Sequence, residues 1–255
     1  MTGQLPLAVL LALLWPAPPA SAAPAPFIYA AREEHRFGGT RGTLTIGGEG
    51  VAFVTASAKD GRRWTFDAIQ QIRIAPTRID IATYEDRGRL STGGRRIYRY
   101  AVTGTAIDAA LADFLLAQVH VPVVSAVLPS AVNDAEIRVL AHHERRRGGG
   151  DGALVATPEG VAFVTIRAGE ARFWRYADLF AVLMIDRYRL QLTAYEGGPG
   201  ETRPYVFSLK APLDSRAYDL LWQRINRSST PKVTPRTDNV SQPPMATAPP
   251  PAASR

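Results

Sequence analysis

The sequence contains one six-residue stretch twice, and this stretch decides the fold that we expect. Gly-Val-Ala-Phe-Val-Thr occupies residues 50–55 and returns, letter for letter, at residues 160–165. At the same spacing of 110 residues, Trp64 is matched by Trp174. Two long copies are typical of tandem domains, whereas a solenoid needs three or more short repeats. The sequence therefore predicts two related units.

Each unit reads as a series of short strands separated by tight turns. Glycines at residues 47, 48 and 50 predict a hairpin that ends in the repeated stretch. Alternating apolar and polar residues predict further strands, among them residues 64–66, 79–81 and 97–100. Because the turns are short, the strands should pair antiparallel, about seven to each unit.

An amphipathic helix is predicted at the end of each unit. Its apolar residues follow the spacing i, i+4, i+7, i+8 and i+12 in both copies. These residues are Ile107, Leu111, Phe114, Leu115 and Val119 in the first copy, and Leu213, Ala217, Leu220, Leu221 and Ile225 in the second. Residues 105–108 resemble a capping box. The predicted fold class is mainly β with α, a β-rich α+β fold.

Each unit resembles the pleckstrin-homology-like (PH-like) superfamily, in its bacterial PH or GRAM-like branch. The resemblance rests on the hairpin at residues 50–54, the stretch at residues 64–69 with its second copy, and the closing helix. It implies two PH-like half-barrels of antiparallel strands, each with one C-terminal helix. It also implies a binding module, often for lipid headgroups, peptides or partner proteins, and seldom a catalyst.

The segments outside the two units complete the expected organisation. Residues 1–26 read as a signal peptide, since a short apolar run precedes the small residues Ala20-Ser21-Ala22, where cleavage would leave Ala23 first. An uncleaved anchor is the alternative. We therefore expect an exported protein, periplasmic or extracellular. The expected order is signal peptide 1–26, PH-like domain 27–119, apolar linker 120–136, PH-like domain 137–226 and a disordered Pro/Ser/Ala-rich tail 227–255.

The linker is rich in valine, including Val121, Val123, Val124 and Val127. These side chains would be costly to leave in water. We therefore expect the linker to lie extended against one or both units and to fix their relative orientation.

Composition and motifs argue against several classes of function. The absence of cysteine excludes disulfides and thiolate metal sites. The sequence has neither a Gly-x-Ser-x-Gly elbow nor a Gly-x-x-x-x-Gly-Lys phosphate loop. His142 and His143 are neighbours on a predicted strand, so they should face opposite sides, and we interpret them as a solvated strand edge. We expect no catalytic residue, cofactor or metal. Of the net charge of +7, the tail from Arg227 carries +3, and the +4 of the rest of the chain is too mild to indicate nucleic acid.

Arginines beside glycine turns form the strongest candidate for a binding site. Arg145, Arg146 and Arg147 precede three glycines, and basic side chains beside exposed backbone amides can form an anion-binding concavity. The PH-like resemblance implies a binding site at the same place, because lipid-binding members use this first hairpin. Arg95 and Arg96 would add positive charge. The alternative interpretation is that arginines flank turns because they are soluble there.

The sequence favours a non-enzymatic, exported binding or scaffold module whose partner is an unidentified protein or peptide. One alternative is recognition of anionic lipid headgroups at an envelope membrane, and another is an enzyme of unknown type. Trp64 and Trp174 are interpreted as core residues rather than as a platform for a ligand.

Overall fold

The computed structural model describes residues 25–35, 38–57, 59–86, 95–146, 148–196 and 201–229. Within these ranges the chain forms a large β-sheet and two α-helices, which confirms the β-rich α+β class. The predicted signal sequence up to residue 24 and the tail beyond Ser229 lie outside the described residues. No helix in the described ranges is long and apolar enough to cross a membrane.

The first half of the sheet is antiparallel throughout. Its strands lie in the order β5-β6-β7-β1-β2-β3-β4. They are β1 (Phe27–Glu34), β2 (Gly39–Gly47), β3 (Gly50–Thr55), β4 (Arg62–Trp64), β5 (Ile69–Ala75), β6 (Arg78–Asp86) and β7 (Arg95–Thr103). Helix α1 (Ala109–Gln118) follows and buries Leu111 and Leu115 in the core of the same half.

The linker contributes a short strand, β8 (Val123–Ser125), and a 3₁₀ turn at Ser130–Asn133. Val123 and Val124 are buried. The linker therefore packs against the strands, as its valine content predicts.

The second half has the same strand order as the first, β13-β14-β15-β9-β10-β11-β12. Its elements are β9 (Ile137–Arg145), β10 (Gly148–Ala156), β11 (Gly160–Val164), β12 (Arg172–Arg175), β13 (Leu179–Asp186), β14 (Arg189–Ala194), β15 (Arg203–Leu209) and helix α2 (Ser215–Ser229). Leu221 and Ile225 of α2 are buried in the core of this half. The helix continues to Ser229, so residues 227–229 are helical and not part of the predicted tail.

Strand β8 joins the two halves into one continuous, open sheet of 15 strands. It pairs in parallel with β5 at Ile72, Arg73 and Ile74. On its other side, Ser125 pairs antiparallel with Phe173 of β12. A separate apolar cluster, containing Val132, Val155 and Phe173, forms beside this junction. The relative position of the halves is therefore set by both pairing and packing.

Two local predictions from the sequence are wrong. Strand β4 ends at Trp64, and Phe66–Ala68 form a 3₁₀ turn, because the chain changes direction here before β5 begins. The alternation of Trp64 and Phe66 does not distinguish a continuing strand from a strand that ends in a 3₁₀ turn. The N-cap of α1 is Asp108, whose carboxylate accepts a hydrogen bond from the Leu111 amide at 3.2 Å. The expected capping box would have Thr105 as the N-cap. Because the N-cap is Asp108, residues 105–108 do not form this capping box.

Candidate anion-binding site

Arg145 and Arg146 lie where β9 turns towards β10, and they line an open cleft with a volume of about 770 Å³. The opposite wall comes from the start of β15, where Arg203 is located. Strand β15 pairs with β9, with Val206 opposite Glu144, and this register brings Arg203 beside the hairpin. The cleft therefore combines arginines from two neighbouring strands.

His143 also lines the cleft and is 5% exposed. Its ring centroid lies 5.1 Å from that of Phe207, 5.4 Å from that of Tyr205 and 5.6 Å from that of Phe163. The interpretation as a solvated strand edge is therefore wrong for His143, because β9 lies between β15 and β10 inside the sheet. His142 faces the other side, with Nδ1 3.0 Å from the Asp151 carboxylate.

The environment of His143 keeps its imidazole neutral. Burial, followed by the positive charges of Arg145, Arg172 and Arg203, lowers the pKa of His143 to about 4. A neutral imidazole adds no charge of its own at neutral pH. The electrostatic character of the cleft is therefore decided by the arginines.

Two carboxylates lie at these arginines: Glu144 lines the cleft and is bonded to Arg189 and Ser208, and Glu170 is paired with Arg145. The contacts of Glu170 are the closer to His143. Oε1 of Glu170 lies 3.3 Å from Nη1 of Arg145, whose Nε donates to Nδ1 of His143 at 3.3 Å. Within the described part of the chain, Nε of Arg172 and Oε2 of Glu170 are buried without a hydrogen-bond partner. Arg203 lies over the ring of Tyr205, 5.3 Å from its centroid. Of the charged residues that line the cleft, Arg145, Arg146 and Arg203 outnumber Glu144, which gives the cleft a positive balance.

The matched place in the first half has a different charge pattern. Glu33 stands where the second half has His143, and it is 4% exposed. Its Oε1 lies 3.5 Å from Nε of Arg62. Arg96 corresponds to Arg203, and its Nη1 lies 3.9 Å from Oε2 of Glu85. In the first half a carboxylate therefore stands in place of the imidazole, and Arg62 and Arg96 are each paired with a carboxylate.

The arginines proposed from the sequence are thus divided between the two halves. Arg145 and Arg146 line the cleft, whereas Arg96 lies in the first half, 5.0 Å from the ring centroid of Tyr98. Arg147 and the side chain of Arg95 lie outside the described residues. Sequence reasoning missed Arg203. A signal was present, because Arg203 stands two residues before Tyr205 as Arg96 stands two before Tyr98.

A Trp-Glu-Tyr arrangement occurs in both halves. Nε1 of Trp64 donates to Glu85 at 3.1 Å, and the Tyr98 hydroxyl donates to the same carboxylate. In the second half, Glu196 accepts from Nε1 of Trp174 at 2.9 Å and from the Tyr205 hydroxyl at 2.5 Å. Both tryptophans are buried, as their interpretation as core residues requires. Glu196 follows the end of β14 and is 6% exposed, whereas Glu85 belongs to β6.

Among the described residues, no group of three or more His, Asp or Glu side chains is placed to hold a metal ion.

No protein-family model matches the sequence, and a comparison with curated proteins finds no match. Among solved structures, the chain is similar to the C-terminal domain of an unknown protein from Leishmania infantum. The identity is 11% and the TM-score 0.29, over 36% of this chain and 84% of that chain. A similarity this weak carries no argument about fold or function.

Proposed function

We propose that this protein is a non-enzymatic, exported binding module built from two PH-like domains, and that the cleft of the second half binds an anionic group. The observation that carries the proposal is that Arg145, Arg146 and Arg203 line one cleft together with the buried, neutral His143. The class of ligand follows from the guanidinium groups, which match phosphate and carboxylate oxygens.

The strand order supports the PH-like part of the proposal. Each half places its first strand between its seventh and its second, and each is followed by one helix. The helix packs against the strands of its own half, through Leu111 and Leu115 in α1 and through Leu221 and Ile225 in α2. Both features are what a half-barrel closed by a C-terminal helix requires.

Phosphate is the anion that we infer for the cleft. The cleft is open to solvent and lined by arginines on two strands, so a tetrahedral group can be contacted from two sides. A phosphate can be part of an anionic lipid headgroup or of a soluble molecule. The two sources share their chemistry and differ in whether binding brings the protein to a membrane.

The test is co-sedimentation of the protein with vesicles of phosphatidylcholine alone and with added anionic phospholipid, at low and high salt. A parallel calorimetric titration uses inorganic phosphate as the soluble probe. We expect binding to anionic vesicles that weakens with salt, because exposed charge pairs are screened. Binding of inorganic phosphate without vesicle binding would assign the cleft to a soluble ligand.

Arg203→Gln and Arg96→Gln are matched variants, since each removes one positive charge from the equivalent position of one half. We expect Arg203→Gln to weaken binding about tenfold or more, the size of one charge-assisted hydrogen bond. Arg96→Gln should bind as the parent does. Equal weakening by both variants would mean that net charge, and not this cleft, is responsible, and no binding to either probe would remove the proposal.

A further inference from the structure

The outer face of the first half carries a depression that is separate from the anion-binding cleft. It has a volume of about 450 Å³, and its lining residues are Arg32, Glu34, His35, Gly38, Arg78 and Arg99. Glu33 on β1 and Tyr100 on β7 are buried, so the neighbouring Arg32 and Arg99 face outward. The depression therefore lies on the side of the sheet that faces away from the core.

The two carboxylates at this depression are both bound by one arginine. Nη2 of Arg78 lies 3.1 Å from Oε2 of Glu34, and its Nε donates to Oδ1 of Asp80 at 2.7 Å. Arg99 stands directly opposite Asp80 in the pairing of β7 with β6. Among the described residues, however, neither Arg32 nor Arg99 forms an ion pair with a carboxylate. Two guanidinium groups of the depression thus have no anionic partner from the chain.

A third arginine adds to this positive charge. The pairing of β1 with β2 places Arg41 directly opposite Arg32, on the same face of the sheet. Like charges that stand directly opposite destabilise a sheet. A Cβ at Gly39 would lie 2.7 Å from Nε of Arg32, so this glycine leaves the room that the Arg32 side chain occupies. The Arg32–Arg41 pair therefore has no explanation in the stability of the sheet.

The second half has the same strand pairing without this excess of positive charge. At the positions matched to Arg32 and Arg41 it has His142 and Asp151, which are also direct partners in the sheet. Nδ1 of His142 lies 3.0 Å from Oδ1 of Asp151. The position matched to Arg99 is occupied by Val206. The fold is therefore compatible with neutral or paired side chains here, and the three arginines are a property of the first half.

We propose that the depression binds a phosphate group and forms a second anion site, which does not depend on the cleft of the second half. Arg32 and Arg99 balance a dianion, and a phosphate monoester carries about two negative charges at neutral pH. Its oxygens accept hydrogen bonds from guanidinium groups. The volume holds the phosphate together with part of the molecule that carries it. A soluble phosphate ester and a lipid headgroup with a terminal phosphate share this chemistry.

Titration of the isotope-labelled full chain with inorganic phosphate, followed by amide NMR shifts, tests the proposal. We expect saturable shifts at residues 32–35, 38–41 and 99. Shifts at residues 143–146 and 203 report on the cleft and are counted separately. Shifts at the cleft alone would overturn this inference and leave the proposed function standing. Shifts at the depression alone would support this inference and count against the cleft.

Arg32→Gln and Arg99→Gln should each weaken phosphate binding at the depression about tenfold or more, because each removes one charge-assisted contact. Arg138→Gln is the matched control, since Arg138 is an exposed arginine on β9 of the second half. It should leave binding at the depression unchanged. Equal weakening by Arg138→Gln would mean that net charge is responsible and would overturn the proposal.

Arg41→Asp keeps the test valid even if other variants fold poorly. It gives the first half the aspartate that the second half has at the matched position, where it can pair with Arg32. We expect a higher thermal midpoint in phosphate-free buffer, because the like-charge pair is removed. Added phosphate should raise the midpoint of the parent but not that of the variant. Phosphate binding by Arg41→Asp that is as tight as in the parent would overturn the proposal.

Co-sedimentation with vesicles distinguishes the two sources of the phosphate. The vesicles contain phosphatidylcholine alone or with added phosphatidic acid, whose headgroup is a terminal phosphate. Weaker sedimentation of Arg32→Gln than of the parent with phosphatidic acid would assign the site to a lipid headgroup. Equal sedimentation of the two proteins, with the phosphate-induced shifts of the parent intact, would assign it to a soluble ester.

Discussion

The guanidinium of Arg175 is held by the carboxylate of Asp178, with Nε 2.8 Å from Oδ2 and Nη2 3.0 Å from Oδ1. The same guanidinium donates to main-chain carbonyls at the end of α1 and in the linker, those of Leu116, Val119 and Val121. Asp178 is 4% exposed, and burial raises the pKa of its carboxyl group. One side chain of the second half thus satisfies three acceptors of the first half and its linker.

Replacing Arg175 with alanine should therefore be strongly destabilising. Arg175→Ala removes the charged partner of a buried carboxylate and the donor to three carbonyls, and we expect the free energy of unfolding to fall by about 3–5 kcal/mol. The double variant Arg175→Ala/Asp178→Ala should recover part of this loss, because no unpaired charge remains. Urea unfolding at neutral pH measures both. A loss under about 1 kcal/mol would mean that the pair behaves as a solvent-screened surface pair.

The two tryptophans should differ in what their indole N–H contributes. Trp174 donates to Glu196, which is 6% exposed, whereas Trp64 donates to Glu85, whose side chain is 47% exposed. Water can replace the lost donor at Glu85 but not at Glu196. We expect Trp174→Phe to lower the free energy of unfolding by about 1–2 kcal/mol more than Trp64→Phe does. If urea unfolding shows equal losses of stability for the two variants, packing of the rings and not the indole N–H decides both losses.

Stability should decrease in mild acid because of His143. Its pKa is lowered from 6.5 to about 4 in the folded protein. Between these values the unfolded chain binds a proton that the folded chain does not, so the stabilisation is complete above pH 6.5 and is lost as the pH falls. We expect the free energy of unfolding to decrease by about 2 kcal/mol from pH 7 to pH 5 through this group.

Urea unfolding of His143→Gln at the same two pH values isolates this contribution. The variant should lose most of the pH dependence, whereas the neighbouring His142→Gln should keep it. A parent protein with equal stability at pH 7 and pH 5 would show that the imidazole is reached by solvent in the folded state.

Gly152 should not tolerate a side chain. A Cβ there would lie 2.3 Å from the Val164 carbonyl oxygen and 2.9 Å from the ring of Phe163. At Gly48, by contrast, nothing lies within 4 Å of a Cβ. We expect Gly152→Ala to cost about 1–3 kcal/mol and Gly48→Ala to stay within about 0.5 kcal/mol of the parent. Thermal unfolding of the two variants measures the difference, and similar midpoints would contradict the close packing of β10 on β11.

The sequence predicts the individual strands and helices of this fold better than it predicts which strands pair with one another. The repeated stretch marks β3 and β11 correctly, and the spacing of apolar residues places α1 and α2. The valines of the linker indicate burial. Nothing local, however, indicates that Ser125 pairs with Phe173, because this pairing joins the linker to a strand of the second half. One continuous sheet therefore could not be predicted from the pattern.

The candidate cleft could be predicted in part for the same reason. Arg145 and Arg146 are adjacent in the sequence and stand before glycines, which makes them visible. Arg203 joins them through the register of β15 on β9, a contact between residues far apart in the chain. His143 was misread as solvated because the strand pattern shows that it and His142 face opposite sides but does not show which side is buried. Its matched residue, Glu33, is charged and is also buried. Burial of Glu33 beside Arg62 is a tertiary effect that the strand pattern does not record.

Strand β8 is bound to β5 through three residue pairs but to β12 through a single one. A fragment that stops at residue 119 would leave residues 72–74 with bare hydrogen-bonding groups, inviting aggregation through that edge. A fragment that stops near residue 134 includes β8, which pairs with residues 72–74. A boundary between two separately expressed fragments should therefore be placed after the linker, so that the linker valines stay with the first half.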